Sequence, residues 1–424
     1  GVLPCTPSTS SFSSSSIKTF TGNTATGNGV DFVGISQESS FTITDDSTGG
    51  DCTSIGTWNN AAKICTLSTD LTKGIIIDSD QITLNGNGKS ITGTYTSLNP
   101  SASTFTEGVK IDGATGVHVK NLVINNVNSG IYLSSSENNS IYDNTLSNNG
   151  YGVNLYDSPN NTIRDNTIDS DDGYGIKNDR SHLTIITGNT QSGASTGISV
   201  TNSNQLTIDG NTFTDHQQGI YLNNVGQIAV THNFFYSGGS DWQSPTQGAI
   251  QIDGGGWHTI AFNNISGWAE YGIKVSATAV SIHNNVINGA KNAIFLQNSM
   301  GDGQCSGFEK FWLSQNTINM QTYLSETSNG IIAHNSEKIC YDDNQIIAGV
   351  DTYGDQRPLT FNGDKNSIVK NNYVYVGHYG LTVSNSVGTT ITGNTVKNVD
   401  KHGIFVSDSQ LITITDNTSN DNGD

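Results

Sequence analysis

Short apolar runs recur along most of this chain at a fixed spacing. Five runs in a row open with a glycine, continue with Ile or Val at alternate positions, and reach an asparagine 14 residues after that glycine. The next run starts after 22 or 23 residues. The opening glycines are Gly130, Gly152, Gly175, Gly197 and Gly219, and the asparagines are Asn144, Asn166, Asn189, Asn211 and Asn233. A repeat of this length is typical of a solenoid, a propeller or an array.

Alternation over a few residues, rich in β-branched side chains, predicts strands and not helices. No repeat contains a stretch free of Gly and Asn that is long enough for an amphipathic helix. The Leu-x-x-Leu-x-Leu frame of a leucine-rich horseshoe is also absent. Three short strands per repeat therefore predict an all-β fold, a single-stranded right-handed parallel β-helix.

The asparagine column has a physical explanation in such a coil. Asn tolerates the left-handed backbone of a sharp corner, and identical side chains about 4.8 Å apart can hydrogen-bond as a ladder. The opening glycine is expected to serve the neighbouring corner. We expect both columns to be scaffold and not site.

The pattern divides the chain into two parts. Residues 1–73 lack the repeat and are predicted to form an N-terminal tail and cap region. Residues 74–424 are predicted to form the β-helix, with roughly a dozen rungs. Repeats between residues 237 and 357 are longer, which predicts loop insertions that could build a groove or an interface.

The charge and hydrophobicity of the chain restrict the kinds of partner that it can bind. The 18 Lys and Arg residues against 37 Asp and Glu give a net charge of −19. Nucleic acid requires a basic face, so we exclude it as a partner. A polyanionic glycan would need bridging cations. No apolar run is long enough for a membrane span.

The five cysteines favour an oxidising, extracellular setting. Cys52 and Cys65 flank a loop in the cap region, and Cys305 and Cys340 lie in and after an insertion, so we expect two disulfides. Cys5 is left over, and a free thiol and an intermolecular bridge both remain open. The chain starts at Gly1, as expected for a secreted protein after signal peptide removal, although a trimmed chain would look the same.

The repeats resemble those of the pectate-lyase-like superfamily, and the stretch from Ile82 to Gly88 resembles its NosD-like, carbohydrate-binding-and-hydrolase branch. The resemblance implies a β-helix with any of several roles: lyase, epimerase, hydrolase, phage spike, adhesin or passive surface protein. The Asp-Pro-His-Asp-type motif of the epimerases is absent. Asp171-Asp172 and Gly175-Ile176-Lys177 match fragments of the polygalacturonase set, without its order or partners.

Stacking the repeats brings polar residues into register on the outward face. Tyr221, Asp253 and Lys274 are expected within about 5–10 Å of each other, with Trp257 and His258 at the following turn. Such a group could transfer protons on a sugar. A solvated face with a cross-strand ion pair is the more common arrangement for these residue types.

A second candidate patch is the densest charge cluster of the chain: Lys177, Asp179, Arg180 and His182. It could supply a basic residue to a lyase, but a structural ion-pair network is the favoured interpretation. Asn178 occupies an inward position there, so its amide must be hydrogen-bonded or the rung distorted.

Other residues have candidate roles in binding. Four tryptophans near the insertions could stack on sugars or pack the loops: Trp242, Trp257, Trp268 and Trp312. Four sequons are expected to be surface glycosylation sites: Asn138, Asn160, Asn264 and Asn417. Ca²⁺ is possible at the acidic runs 169–172 and 342–343, although no calcium-loop motif is present.

Two functions of different classes follow. We favour a secreted structural or adhesive β-solenoid of the cell surface that self-associates head to tail into a filament or surface layer. The alternative is an extracellular polysaccharide-active enzyme, namely a lyase, a C5-epimerase or a glycoside hydrolase.

Overall fold

The computed structural model of the protein describes residues 40–96, 106–169, 173–236, 247–267, 270–302, 305, 312–320, 327–349 and 355–423. Over most of these ranges the chain winds into a coil in which strands pair in parallel with the equivalent strands of the neighbouring turns. For example, Ile131 lies beside Val153, and Val153 lies beside Ile176. The predicted all-β fold, a parallel β-helix solenoid, is confirmed.

The coil has three faces, which we call first, second and third in the order in which the chain meets them. Two long strands, Gly248–Ala261 and Tyr271–His283, run through the first corner and belong to both the first and the second face. The other strands of the first face are Ser40–Ile43, Gly74–Ile77, Glu107–Asp112, Ser129–Ser134, Tyr151–Tyr156, Tyr174–Asp179, Thr196–Thr201, Gln218–Asn223, Asn292–Gln297, Ser328–His334, Gln356–Asn362, Leu381–Ser384 and Ile404–Ser407.

The remaining strands belong to the other two faces. Those of the second face are Ile64–Leu67, Thr83–Asn85, His118–Lys120, Ser140–Tyr142, Thr162–Arg164, Ile185–Thr187, Thr207–Asp209, Ala229–Thr231, Trp312–Ser314, Cys340–Asp342, Ile368–Lys370, Thr390–Thr392 and Thr413–Thr415. Those of the third face are Ser90–Thr92, Val123–Asn125, Thr145–Ser147, Thr167–Asp169, Thr190–Ser192, Thr212–Thr214, Phe234–Tyr236, Asn264–Ser266, Val286–Asn288, Thr317–Asn319, Gln345–Ile347, Tyr373–Gly377, Thr395–Val399 and Thr418–Asn420.

The coil begins earlier than the sequence pattern indicates. Ser40–Ile43 already pairs in parallel with Gly74–Ile77, so part of the region predicted as tail and cap belongs to the first rung. A short helix, Cys52–Ile55, follows that strand, and Gly56–Asn59 then pairs antiparallel with Ile64–Leu67. In the described part of the chain the third face has 14 strands, close to the dozen rungs expected.

The asparagine ladder is present, and each side chain closes several hydrogen bonds. Asn211 Nδ2 donates to the carbonyls of Ile186 and Asp209 and to Asn233 Oδ1, while Asn211 Oδ1 accepts from the backbone and side chain of Asn189. The same links join every ladder member from Asn144 to Asn417. The ladder therefore satisfies corner amides from the turn of Asn144 to that of Asn417.

The prediction that the ladder asparagines adopt the left-handed backbone is wrong, because that backbone lies one residue earlier. The left-handed residue is the one before each ladder asparagine: Asp165 has φ 56°, Gly210 φ 64° and His232 φ 52°. The ladder asparagines do not have positive φ angles. Their recurrence along the coil comes from hydrogen bonding to the interior and not from backbone strain.

The opening glycines are needed for space. A Cβ at Gly152 would lie 2.5 Å from the Gly175 carbonyl oxygen and 2.5 Å from Ile168 Cγ2. The inward side chains of the third face therefore fill the volume above each of these glycines. This close approach, and not a left-handed corner, explains the glycine column.

Both expected disulfides are confirmed. Cys52 bonds to Cys65, which joins the short helix to the strand Ile64–Leu67. Cys305 bonds to Cys340, which ties the chain at Cys305 to the outward side of the second face. Cys5 lies outside the described residues.

Candidate functional site

Outward side chains of the first face stand in columns, as the repeat register predicts. Tyr221 lies beside Gln251, and Gln251 lies beside Lys274. Two positions further along the strands, Asn223 lies beside Asp253. The parallel pairing thus brings Tyr221, Asp253 and Lys274 onto one surface, although they come from three different turns.

A groove of 390 Å³ opens on this surface. Its lining is polar and aromatic: Tyr174, Ser195, Thr196, Gln218, Tyr221, Gln247, Gln251 and Lys274. Tyr174 enters it from the column that precedes that of Tyr221, and its ring stacks on Tyr151 at 5.8 Å between centroids. The groove therefore combines hydroxyl, amide, ammonium and aromatic groups on rigid strands.

A chain of hydrogen bonds crosses the groove between neighbouring turns. Gln218 Nε2 donates to Gln251 Oε1 at 3.1 Å, and Gln251 Nε2 donates to Asp253 Oδ2 at 2.8 Å. Tyr221 is hydrogen-bonded to Asp253 in turn. These bonds fix the orientation of both amides, which a ligand would otherwise have to order at an entropic cost.

Burial and the neighbouring Asp253 favour the neutral form of Tyr221. Burial, then the charge of Asp253 and the hydrogen bond to it, raise the pKa of Tyr221 above its ordinary value. Lys274 lies with its ammonium 5.0 Å from the ring centroid of Tyr271. Tyr221 can thus donate a hydrogen bond or a proton at neutral pH, but it is a poor base.

His258 lies away from this groove. It follows the first corner and points into the coil, where it is 2 % exposed, and its Nδ1 accepts a hydrogen bond from the Ile228 backbone. Burial lowers the pKa of His258 to about 4. The expected grouping of His258 with Tyr221 and Asp253 is therefore not formed. Trp257 is at the corner itself and is exposed.

The second candidate patch is a set of separate structural contacts. Lys177 lies over the Tyr151 ring, and Arg180 pairs with Asp157 at 3.1 Å. Asp179 accepts hydrogen bonds from Thr201 and Asn202. His182 Nδ1 accepts from the backbone of Asn204. Each of these side chains contacts a neighbouring turn of the coil, as expected for a structural network.

The inward Asn178 of that patch is partly satisfied. Its Nδ2 donates to Thr184 Oγ1 at 3.1 Å, while its Oδ1 is buried and has no hydrogen-bond partner among the described residues. The strand Tyr174–Asp179 nevertheless keeps its register with both neighbours. The rung is therefore not distorted.

Of the four candidate tryptophans, Trp257 and Trp312 lie among the described residues. Trp312 is on the second face, and Trp242 and Trp268 lie outside the described residues. Asn138, Asn160 and Asn264 are exposed, and the side chains of Asn138 and Asn160 hydrogen-bond each other. Asn417 instead uses its Nδ2 in the ladder, donating to Ile391 and Thr415 carbonyls, so it is the least available acceptor of the four.

The acidic runs show no cage for a cation in the described ranges. Residues 170–172 lie outside them, and Asp342 pairs with Lys370 at 3.2 Å. A wider hollow of 520 Å³ near the first rungs is also acidic, but Asp45 there pairs with Lys63 and Asp112 with Lys110. Among described residues no three His, Cys, Asp or Glu side chains are grouped so as to hold a metal ion.

Sequence reasoning missed part of the groove. Tyr174, Thr196 and Gln218 form a second column, three positions before the column that contains Lys177, Ser199 and Tyr221. The same 22- or 23-residue spacing would have aligned them. They were missed because the second column begins before the glycine from which each repeat was counted.

Comparisons with known proteins give the following matches. Residues 59–257 match the family described as periplasmic copper-binding protein (NosD), and residues 310–424 match the right handed beta helix region. No curated protein matches the chain. Described helices include none long and apolar enough to cross a bilayer.

Two solved structures illustrate the structural neighbours. DFA-IIIase from Arthrobacter chlorophenolicus A6 is 14% identical over 56% of this chain, with a TM-score of 0.42. The match spans 58% of that enzyme's chain. PfbA, a surface adhesin of Streptococcus pneumoniae, is 12% identical over 80% of this chain and 85% of its own, with a TM-score of 0.42. Likenesses at this level carry no functional information.

The copper named in the first family description does not fit the groups present. Copper sites in proteins use soft sulfur and imidazole ligands. The chain has 2 Met, and four of its 5 Cys are in disulfides. In the described part of the chain His216 and His258 are buried singly, and no ligand group of three is present.

Proposed function

Because the chain is a right-handed parallel β-helix repeat protein of the pectate-lyase-like superfamily, we propose that it is an adhesive β-solenoid that holds a polysaccharide in the first-face groove. The observation that carries this proposal is the lining of the groove. Fixed amides from Gln218 and Gln251, hydroxyls from Thr196 and Tyr221, and the Tyr174 ring are the groups with which proteins hold sugars.

The geometry favours binding over bond cleavage. Glycoside hydrolases generally need two carboxyl groups that flank the scissile bond. The described lining of the groove contains no carboxylate, and Asp253 beside it is engaged by Gln251 and Tyr221. The groove thus has what is needed to orient a glycan, without the paired acid and base of a hydrolase.

The disulfides support the location in which such a protein would act. Disulfides persist in oxidising compartments, so Cys52–Cys65 and Cys305–Cys340 favour an extracellular or periplasmic site. Display at the cell surface after secretion is part of the proposal. The three exposed sequons would then place any attached glycans at the first corner and on the third face.

Titration of the protein with a panel of polysaccharides tests this function. The panel contains neutral chains (cellulose fragments, starch, xylan) and uronate chains (polygalacturonate, alginate). Gln218→Ala and Gln251→Ala are each expected to weaken binding about tenfold or more, because each removes an oriented amide. Gln297→Ala, an exposed glutamine on the same face outside the groove, is the control. Equal affinity of all three variants and the parent chain would remove the groove from the account.

An enzyme is the second candidate, and one observation favours it. Tyr221, hydrogen-bonded to Asp253 and lining the same groove as Lys274, could protonate a sugar oxygen or ring carbon in a lyase or epimerase. Tyr221→Phe removes that proton and leaves the ring. Loss of product formation in this variant, with binding retained, would support the enzyme.

A further inference from the structure

Two bulky aromatic residues stand exposed at the two ends of one second-face segment. Trp257 precedes the segment 258–261 and is 58% exposed, and Phe262 follows it and is 50% exposed. Both have left-handed backbones, with φ 64° and φ 58°. Bulky residues rarely adopt this conformation, so two in one turn of the coil need an explanation.

At the equivalent corners of other turns most residues are polar or small. The residues equivalent to Phe262 in the two adjacent turns are His232 and Asn284, and those further along the coil include Asp165, Gly188 and Gly210. Residues equivalent to Trp257 include Leu183, Gln205, Gln227 and Ala279. Since Trp257 and Phe262 are exposed, burial of their rings does not offset the unfavourable backbone. What distinguishes this turn is that both of its corners carry an exposed aromatic ring, and exposed apolar groups of this kind mark surfaces that bind a partner.

A flat, uncharged floor lies between the two rings. Thr259 faces outward on the segment itself, and Ala261 at the next outward position is buried. Ala229 and Thr231 lie beside them on the previous turn, and Ser281 lies beside Thr259 on the next. From Trp257 to Phe262 the strand covers about 17 Å, at roughly 3.3 Å per residue. These side chains are small, and His283 lies at the edge of the area, beside Ala261.

Aromatic rings also border the floor along the coil axis. His232 stacks on Phe262 at 5.2 Å, and His283 packs edge-on against Phe262 at 5.6 Å. Trp312 lies beside Ser281 on the following turn. Beyond Trp312 the floor ends at Cys340, which is bonded to Cys305. A charged group at the border is Asp209, which is paired with His232 at 2.9 Å.

We propose that this second-face platform, bordered by Trp257, Phe262 and Trp312, is a second binding site for a neutral, extended polysaccharide. Sugar rings stack on aromatic side chains through their apolar faces, and a flat chain of them requires a floor of small residues. An uncharged floor on a chain with a net charge of −19 suits a neutral glycan. The site extends the proposed function to another face, and rests on it only for the class of ligand.

The platform and the first-face groove lie on either side of the first corner. Asp253 and Trp257 are separated along the chain by Gly254, Gly255 and Gly256, which turn that corner. One protein could therefore hold two glycan chains, or two parts of one chain, on adjacent faces. Such a double attachment strengthens adhesion through effective concentration.

Calorimetric titration with cellohexaose and chitohexaose tests the platform. Trp257→Ala is expected to weaken binding about tenfold or more, since it removes a stacking ring. Leu183→Ala is the matched control: Leu183 is another exposed apolar residue with φ 57° in the same corner column. It should bind as the parent chain does.

Phe262→Asn gives a second readout that a merely structural role would not produce. Asn tolerates the left-handed corner, so this variant is expected to raise the midpoint of thermal unfolding while weakening binding. Parent-like affinity of both Trp257→Ala and Phe262→Asn would overturn the proposal, as would a lowered unfolding midpoint for Phe262→Asn.

The two sites can be told apart in the same titrations. If Gln251→Ala abolishes binding of the hexasaccharides and the platform variants do not weaken it, the platform fails and the groove stands. If the platform variants weaken binding and Gln251→Ala does not, the platform stands and the groove fails. Absence of any binding to the parent chain overturns the platform.

Discussion

A single ladder asparagine closes several hydrogen bonds at once. Replacing Asn211 by Ala would leave the carbonyls of Ile186 and Asp209 and the amide of Asn189 without these partners. Each unpaired buried group costs about 1–3 kcal/mol. We therefore expect Asn211→Ala to lower the free energy of unfolding by about 3 kcal/mol or more in urea titrations.

The control for this prediction is Asn264→Ala. Asn264 is exposed on the third face and is not a ladder member, so its replacement should change the free energy of unfolding by less than about 0.5 kcal/mol. Comparable losses in the two variants would show that the ladder contributes no more than a surface amide.

The buried carboxyl group of Asp364 makes the free energy of unfolding depend on pH. Its side chain is fully buried, and burial raises its pKa to about 7, against hydrogen bonds from Ser367 and the Lys365 backbone that lower it. The folded state therefore holds a proton that the unfolded state releases near its ordinary pKa of 3.8. The contribution of Asp364 to the free energy of unfolding is therefore largest below about pH 4 and is lost as pH rises to about 7.

Asp364→Asn mimics the protonated carboxyl and should remove this dependence. The difference in unfolding free energy between the variant and the parent should be near zero at about pH 4 and grow to about 4 kcal/mol above about pH 7, at about 1.36 kcal/mol per pKa unit. Urea titrations across this range measure it, with the exposed Asp408→Asn as control. A difference that does not change with pH would contradict the raised pKa.

His258 makes the free energy of unfolding depend on pH in the opposite direction. Burial lowers its pKa to about 4 from 6.5, so the folded state binds fewer protons than the unfolded state between these values. Its contribution is present above pH 6.5 and is lost as pH falls toward about 4. In the parent chain the two buried groups thus offset each other between these two pH values.

At the scale of elements, the disulfide Cys52–Cys65 holds the first rung together. It joins the helix Cys52–Ile55 to the strand Ile64–Leu67 and closes a loop of 13 residues. A disulfide that closes a loop of this size raises the free energy of unfolding by about 3 kcal/mol, because it restricts the unfolded chain. In the double variant Cys52→Ser, Cys65→Ser, we expect faster hydrogen exchange in the first rung and unchanged exchange near Asn211. Uniform acceleration along the coil would show that the rungs unfold together.

The repeat pattern predicts the elements well because each rung is specified locally. Alternation indicates the inward positions, and the period indicates the register, so the amino-acid sequence alone predicts the column of Tyr221, Gln251 and Lys274. The direction of His258 could not be predicted in this way. The glycines 254–256 add residues at the first corner, the register shifts between Asp253 and Gly256, and His258 then points inward. Corner geometry of this kind has no signature in alternation.

At the scale of the whole molecule, the strand Thr413–Thr415 is paired on one side only among the described residues. Ile414 is 49% exposed, although the equivalent Ile391 of the previous turn is buried, and Leu411 at the neighbouring corner is 81% exposed. Exposed strand edges and apolar positions are a template for another chain. We propose that copies associate head to tail at this end, as expected from the sequence; the tail, residues 1–16, lies outside the described residues.

Sedimentation velocity at increasing concentration tests this association. Oligomers are expected for the parent chain, and Leu411→Asp together with Ile414→Asp should shift them to monomer, because charges do not bury at a strand interface. A chain lacking residues 1–16 should also be monomeric if the tail covers the strand Thr413–Thr415. A monomer at every concentration for the parent chain would end this part of the account.

The central claim is that the first-face groove holds a polysaccharide without cleaving it. The most direct measurement is the length distribution of a bound polysaccharide, recovered from its complex with the protein after prolonged incubation and separated by size. We expect retention by the parent chain, loss of retention with Gln251→Ala, and an unchanged length distribution. Shortened or unsaturated chains that appear with the parent protein and disappear with Tyr221→Phe would contradict the claim and establish an enzyme.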